Sequence, residues 1–286
     1  MSKFIKSLLS VLLLLSVPLS FLISLSVLIV DLTATGANLL FMIIHTALVL
    51  MVLRFTPFWP KNCHFLWAPA CLAWGAFGSI GLATFIAPPI VDLVAKLSLD
   101  DFLASFAGGY PEEIAKAIGI LLILYSFRGL NRPWHGLATG MLVGTGFDVY
   151  ENFSYASEGA LLNPSSDLLG VTLMWIGRTI FGPGLHLMFA GFTGFGIGLA
   201  LFALGRSTLW RVSVASFWFL FAFAVHFLWN YVVTTPVYVL VITGILIYSA
   251  LIAVVIWNFI QAAKDSGYLT VELSKAMESK ALLPAR

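Results

Sequence analysis

Residues 134–155 read WHGLATGMLVGTGFDVYENFSY. Read as a helix, this run is long enough to cross a hydrocarbon core of about 30 Å, for which roughly 20 residues suffice. It also places Asp148 and Glu151 three residues apart on one helical face, where two ionised carboxylates in lipid are costly and repel each other. The fold therefore turns on whether the surrounding chain is a membrane protein and, if so, on what that pair is for.

The composition answers the first point. The chain has 286 residues, 60% of them hydrophobic and only 10% charged, with a mean hydropathy of +1.00, which excludes a soluble globular domain. Eight apolar runs stand between charged or Pro-bearing breaks, at about 7–30, 36–54, 65–87, 112–128, 134–156, 183–204, 209–234 and 237–261. The first follows Lys3 and Lys6 like a secretory signal, but its apolar stretch exceeds the roughly 7–15 residues of a signal core, so it reads as a retained span. The expected fold is all-α: a polytopic membrane helix bundle of about eight transmembrane helices. One transmembrane domain covers 1–263, with a motif-bearing core at 111–234, and a polar cytoplasmic tail covers 264–286.

Lys and Arg set the orientation. With a cytoplasmic N-terminus that side collects Lys3, Lys6, Arg54, Lys61, Arg128, Arg132, Arg206, Arg211, Lys264, Lys275, Lys280 and Arg286, leaving Lys96, Lys116 and Arg178 elsewhere. This positive-inside bias puts both termini in the cytoplasm and the chain in the plasma (inner) membrane as a multi-pass protein. A net charge of +2 without a basic soluble face excludes nucleic acid as a partner. Cys63 and Cys71, the only cysteines, would lie about 12 Å apart along one helix, beyond disulfide reach. The outer segments 88–111 and 157–182 are the candidates for lids or interfacial helices.

Most polar residues in the spans are Ser or Thr, which bond to their own helix. Four clusters are different: PEEIAK at 111–116, GFDVYEN at 146–152, RTIFGPGLH at 178–186 and HFLWN at 226–230. Pro111 with Glu112 and Glu113 is also an ordinary helix start, but Lys116, four residues after Glu112, carries charge deeper than a cap requires. At 1.5 Å per residue, Glu113 lies ~22 Å from Arg128, Glu151 ~25 Å from Trp134, His186 ~27 Å from Leu204 and His226 ~24 Å from Trp210. All four fall in one layer beneath the outer surface, which implies one shared polar site. His45, with no partner at its depth, reads as a hydrogen-bonded packing residue. Glycines every four residues at 136, 140 and 144, and at 194 and 198, provide faces where helix backbones approach closely.

Carboxylates, two histidines and an amide suit hydrolysis by a glutamate that deprotonates water, with imidazole or amide donors on the oxyanion. They equally suit a catalytic zinc held by two His and one Glu, for which the set offers Glu151, His186 and His226. No H-E-x-x-H is present, GTGFD is interrupted by Phe147, and GSIG around Ser79 lacks the glycine a rhomboid-type serine would have.

Glu112-Glu113-x-x-Lys116, Gly140-x-x-x-Gly144-x-Gly146-Phe147 running into Glu151-Asn152, Arg178 leading to His186, and His226-x-x-Trp229-Asn230 resemble the motifs of the PrsW family of intramembrane proteases. That family is similar to the group containing the CAAX prenyl proteases and bacteriocin-processing proteins. The resemblance implies cleavage of a membrane-anchored protein, such as a single-pass anti-sigma factor, near its outer juxtamembrane segment. By the same resemblance Glu112 or Glu113 activates water, His226 and Asn230 hold the oxyanion, Glu151 and His186 complete the site, and Lys116, Asn152 and Arg178 support it. The motifs leave open whether a metal, zinc being the candidate, takes part. Asp148 stands where the family has a small apolar residue. The rival class is a transporter or proton relay with an outward-facing polar site, which would continue its polar residues across the membrane.

Topology is directly testable. Single cysteines near Lys61, Arg132 and Arg206 should stay unlabelled by an impermeant reagent in intact cells, while those near Leu162 and Thr235 react. Labelling at position 132 from outside would overturn the depth argument.

Overall fold

The structure is a computed structural model and describes residues 3–23, 30–232 and 236–281. Thr235 and Arg286, used in the topology argument, lie outside the described residues. The described chain is helical: α1 Lys3–Ile23, α2 Leu32–Arg54, α3 Trp67–Ala73, α4 Ile80–Lys96, α5 Tyr110–Ser126, α6 Pro133–Leu162, α7 Asp167–Phe181, α8 Leu185–Phe202, α9 Thr208–Val232 and α10 Val237–Ala281. A π turn at Trp74–Ser79 joins α3 to α4, so the two cross as one rod, and a second at Ser105–Gly109 leads into α5.

Five helices among the described residues are long and apolar enough to cross a membrane: Leu32–Arg54, Trp67–Lys96, Leu185–Phe202, Thr208–Tyr231 and Val237–Lys264. Three of the eight expected runs fall to α1, α5 and α6, which are helical but shorter or more polar. The outer segments also differ from expectation. The third run continues past Pro88 and Pro89 to Lys96, and α6 continues through 157–162. It stops there because Asn163 precedes Pro164, whose ring disfavours the helical region for its neighbour; Asn163 is extended at φ −83°, ψ 119°. Ser166 then caps α7, its hydroxyl accepting from Leu169 N–H. Cys63 lies in the loop before α3, and both cysteines are free.

α6 is the axis of the fold, buried along most of its length from His135 to Ala160. Its glycines make this possible. A Cβ on Gly140 would stand 2.0 Å from the Ala190 carbonyl oxygen and one on Gly144 2.2 Å from that of His186, so α8 lies backbone to backbone against α6. The opposite side of α6 takes the π turn, and indoles close the seams: Trp74 Nε1–H donates to the Ala115 carbonyl at 3.0 Å and Trp67 Nε1–H to Thr139 Oγ1 at 3.0 Å. A smaller core of Ala34, Ala156, Ala160, Val171 and Trp175 joins α2, α6 and α7.

Gly144→Ala must push α8, and with it His186, away from α6. We expect a loss of roughly 1–3 kcal/mol, read as a lowered unfolding midpoint in detergent. Gly36→Ala, where nothing lies within 4 Å of the new Cβ, should leave the midpoint unchanged or slightly raised. Equal effects at the two sites would overturn the close-packing account.

Candidate active site

Five helices, α5 to α9, and the Ser105–Gly109 turn converge on one cavity of about 460 Å³. The Ser105–Gly109 turn passes under α9, and Pro111 opens α5 so that Glu112 and Glu113 occupy its first turn, where the helix dipole favours anions. α6 supplies Asp148, Glu151 and Asn152. α7 supplies Arg178, and the Gly182–Pro183–Gly184 turn brings the chain straight into α8, with His186 its second residue. Gly184 caps that helix at φ +66°, a conformation most side chains resist. α9 supplies His226 and Asn230.

Lys116 is the hub. Its buried ammonium donates to Glu113 Oε1 at 2.9 Å, to Glu112 Oε2 at 3.3 Å and to His186 Nδ1 at 3.0 Å, and it sits 3.9 Å from the centroid of the Phe147 ring. Because an ammonium only donates, His186 Nδ1 accepts; its Nε2 then carries the proton and donates to Glu151 Oε2 at 3.0 Å. His226 Nδ1 lies 2.9 Å from Glu113 Oε1 and donates to it, which leaves Nε2 as the acceptor nitrogen, 3.8 Å from Glu112 Oε2. Glu113 is wholly buried behind His226, and its Oε2 has no hydrogen-bond partner. Asn230 lines the cavity and donates one amide N–H to the Ala104 carbonyl at 3.2 Å.

On the α6–α7 side, Arg178 donates to Glu151 Oε2 through one nitrogen and to Asn152 Oδ1 through another, its guanidinium 4.3 Å from the Tyr155 ring centroid. Asn152 in turn donates to Asp148 Oδ2 at 3.2 Å. α7 is held in place by Trp175, whose Nε1–H donates to Asn38 Oδ1 at 2.6 Å, while Asn38 donates to the Phe153 carbonyl at 2.9 Å and to Ser157 Oγ at 3.0 Å.

Glu112, Glu113, Lys116, Asp148, Glu151, Asn152, Arg178, His186 and His226 thus lie in one connected network, and Asn230 lines the same cavity with its amide on Ala104. Two readings change. His45 is not a solitary packing residue: its Nε2 lies 3.3 Å from Asp148 Oδ2. Counting along α2 puts it about 13 Å from Arg54, outside the layer computed for the other spans, because depth along a helix equals depth in the membrane only when the helix is untilted. The candidate ligand set changes as well: the donor atoms that converge, all within 4.8 Å of one another, belong to Glu112, His186 and His226. Glu151, expected in the place of Glu112, is instead clasped by Arg178 and His186.

Charge and donor chemistry both suit a divalent ion. Four carboxylates, Glu112, Glu113, Asp148 and Glu151, face two permanent cations, Lys116 and Arg178, so with neutral imidazoles two negative charges remain for a dication to balance. Two His and one Glu form a familiar hydrolytic zinc set, and a ligand His commonly donates its other nitrogen to a carboxylate, as His226 does to Glu113.

A family model described as PrsW family intramembrane metalloprotease matches residues 64–260. No curated protein and no solved structure matches the chain.

The His45–Asp148 contact can be isolated by a double-mutant cycle. His45→Ala, Asp148→Ala and the double variant should show a coupling of roughly 0.5–3 kcal/mol in unfolding free energy. Effects that add to within about 0.5 kcal/mol would show that the two side chains do not interact.

Proposed function

Since the chain belongs to the PrsW family of intramembrane metalloproteases, and is thereby an integral multi-pass membrane protease, we propose that the Glu112–Lys116–Glu151–His186–His226 network is its peptidase site. It hydrolyses a peptide bond of a membrane-anchored protein near the outer face of the bilayer. The observation that carries this reading is the meeting of Glu112, His186 and His226 donor atoms in a cavity at one end of the α6 axis. The substrate class is a single-pass membrane protein, with an anti-sigma factor as the candidate that the family resemblance suggests.

The topology that goes with it has eight spans, α3 and α4 counting as one, with both termini cytoplasmic. Residues 1–263 form the membrane domain and 264–286 the tail. α7 is too short to cross, about 22 Å by its length, and carries an exposed apolar face of Leu169, Leu173, Ile176, Ile180 and Phe181. It lies in the outer interface as a lid over the cavity.

Within the site the roles divide by contact. Glu112, His186 and His226 would hold a zinc or similar ion, which when bound supplies a Lewis acid and an acidified water. Glu151, the cavity-lining carboxylate that accepts from His186, takes the proton of the attacking water. Arg178 orients that carboxylate through its bonds to Glu151 and Asn152. Asn230, with one amide N–H engaged by Ala104, offers the second to the developing oxyanion. Glu113 meets no water: it fixes the tautomer of His226 from behind, which is a positioning role.

The test is cleavage of a tagged single-pass membrane protein by the full-length protein, with and without a chelator. Glu112→Gln, Glu151→Gln and His226→Ala should each lower the rate by ~10²–10⁴ while the protein remains folded in the membrane. Asp148→Ala, which removes no group bonded to His186 or His226, should cost less than about tenfold. Near-normal cleavage by all three folded variants would defeat the assignment, and cleavage insensitive to chelation would leave a glutamate-based hydrolase in place of a metal-dependent one.

A further inference from the structure

Lys116 is in an unusual position for a lysine. Its side chain is fully buried, and each of its three N–H groups has an acceptor: Glu113 Oε1, Glu112 Oε2 and His186 Nδ1 at 2.9, 3.3 and 3.0 Å. Two of those acceptors belong to Glu112 and His186, which with His226 make up the converging donor set. Glu112 Oε2 is the oxygen 3.9 Å from His186 Nδ1 and 3.8 Å from His226 Nε2, so the ammonium sits on the atom that joins the triad. The other nitrogen of His186 is already engaged by Glu151. A divalent ion on this triad must therefore share Glu112 with Lys116, and must take one His186 nitrogen from Lys116 or from Glu151. In either case a monovalent cation stands within a few ångströms of a dication in a water-poor site, where repulsion is screened far less than in water.

We propose that Lys116 is a tethered cation that competes with the metal for Glu112 and His186. It aligns and neutralises the carboxylates from within the protein, and it sets the metal affinity low, so that the ion is exchangeable rather than permanently held. The proposal rests on the reading of Glu112, His186 and His226 as the metal-holding residues. The two negative charges left over after Lys116 and Arg178 are counted explain why the ion is admitted at all. Lys116 keeps that surplus from growing to three, and a larger surplus would hold a dication more tightly.

The experiment is a metal titration of the purified full-length protein in detergent, with Co²⁺ followed by its visible absorption and Zn²⁺ by competition. Lys116→Met and Lys116→Gln should bind both ions at least ~10-fold more tightly than the parent, because a neighbouring positive charge has been removed. Lys116→Arg, which keeps the charge, should bind no more tightly. Lys116→Met and Lys116→Gln leave Glu113 short of a cation and should be less stable without metal, so they are purified with Zn²⁺ present. Added Zn²⁺ should then raise their unfolding midpoints by more than it raises the parent's. Glu112→Gln in the Lys116→Met background should abolish the gain, which locates the binding at this triad. Equal or weaker affinity in both neutral variants overturns the proposal and leaves the metal reading intact. Folded parent and variants that all fail to bind either ion overturn the two together.

Discussion

Four carboxylates gathered at one end of a lipid-embedded bundle cannot persist as separate charges, and the site is organised by that constraint. An ion stripped of water is tolerated only when paired and hydrogen-bonded. Glu113, fully buried, is held between Lys116 and His226. Glu151 lies between Arg178 and His186, and Asp148 between His45 and Asn152. Each compensating group comes from a different helix or a different turn, so neutralising the acids also fixes how α2, α5, α6, α7, α8 and α9 meet. The repulsion expected between Asp148 and Glu151 is managed in this way: the two acids share a helix face but have separate partners.

The pairing works only because the backbones approach so closely. His186 reaches Lys116 and Glu151 from α8 because Gly140 and Gly144 let that helix lie with its carbonyl oxygens about where a methyl group of α6 would otherwise be. Association inside a membrane gains little from apolar burial, since lipid is as apolar as leucine, and depends on such contact together with interhelical hydrogen bonds. The glycine seam and the polar network are therefore two halves of one device. The seam brings the network within bonding range, and the network fastens a seam that contributes no side chains of its own.

Much of this was legible beforehand. Glu112, Glu113, Lys116, Glu151, His186 and His226 stand out because each is an expensive residue in an apolar run, and their common depth follows from the rise of a helix. The close α6–α8 packing follows from the four-residue glycine spacing. What could not be read is lateral. Nothing along α2 indicates that His45 turns toward Asp148, or that Asn38 receives the Trp175 indole, because those contacts depend on tilt and rotation that tertiary packing decides. The donor set shows the same limit. Glu112 and Glu151 lie at nearly the same depth, and only the position of Arg178, delivered by α7 from the following segment, separates the carboxylate beside both imidazoles from the one tied to a guanidinium. The end of α6 and the start of α7 are written in NPSSD at 163–167, a local signal that the spacing of apolar runs does not carry.

The distribution of polar groups along α6 also bears on what kind of protein this is. A transporter or proton relay needs titratable or hydrated groups at successive depths. Between Asp148 and His135, the next titratable residue toward the other end of α6, the polar side chains on this helix are Thr139 and Thr145, and both hydroxyls donate to carbonyls of their own helix. The flanking faces are sealed by direct backbone contact with α8 and by the indoles of Trp67 and Trp74. Among the described residues, then, α6 carries its charge at one end and offers no relay toward the other. A site that meets water from one side, and is closed behind by glycine packing and indoles, is arranged to hold a reacting group against a fixed network rather than to pass an ion through. That arrangement is in keeping with the peptide hydrolysis proposed for this site.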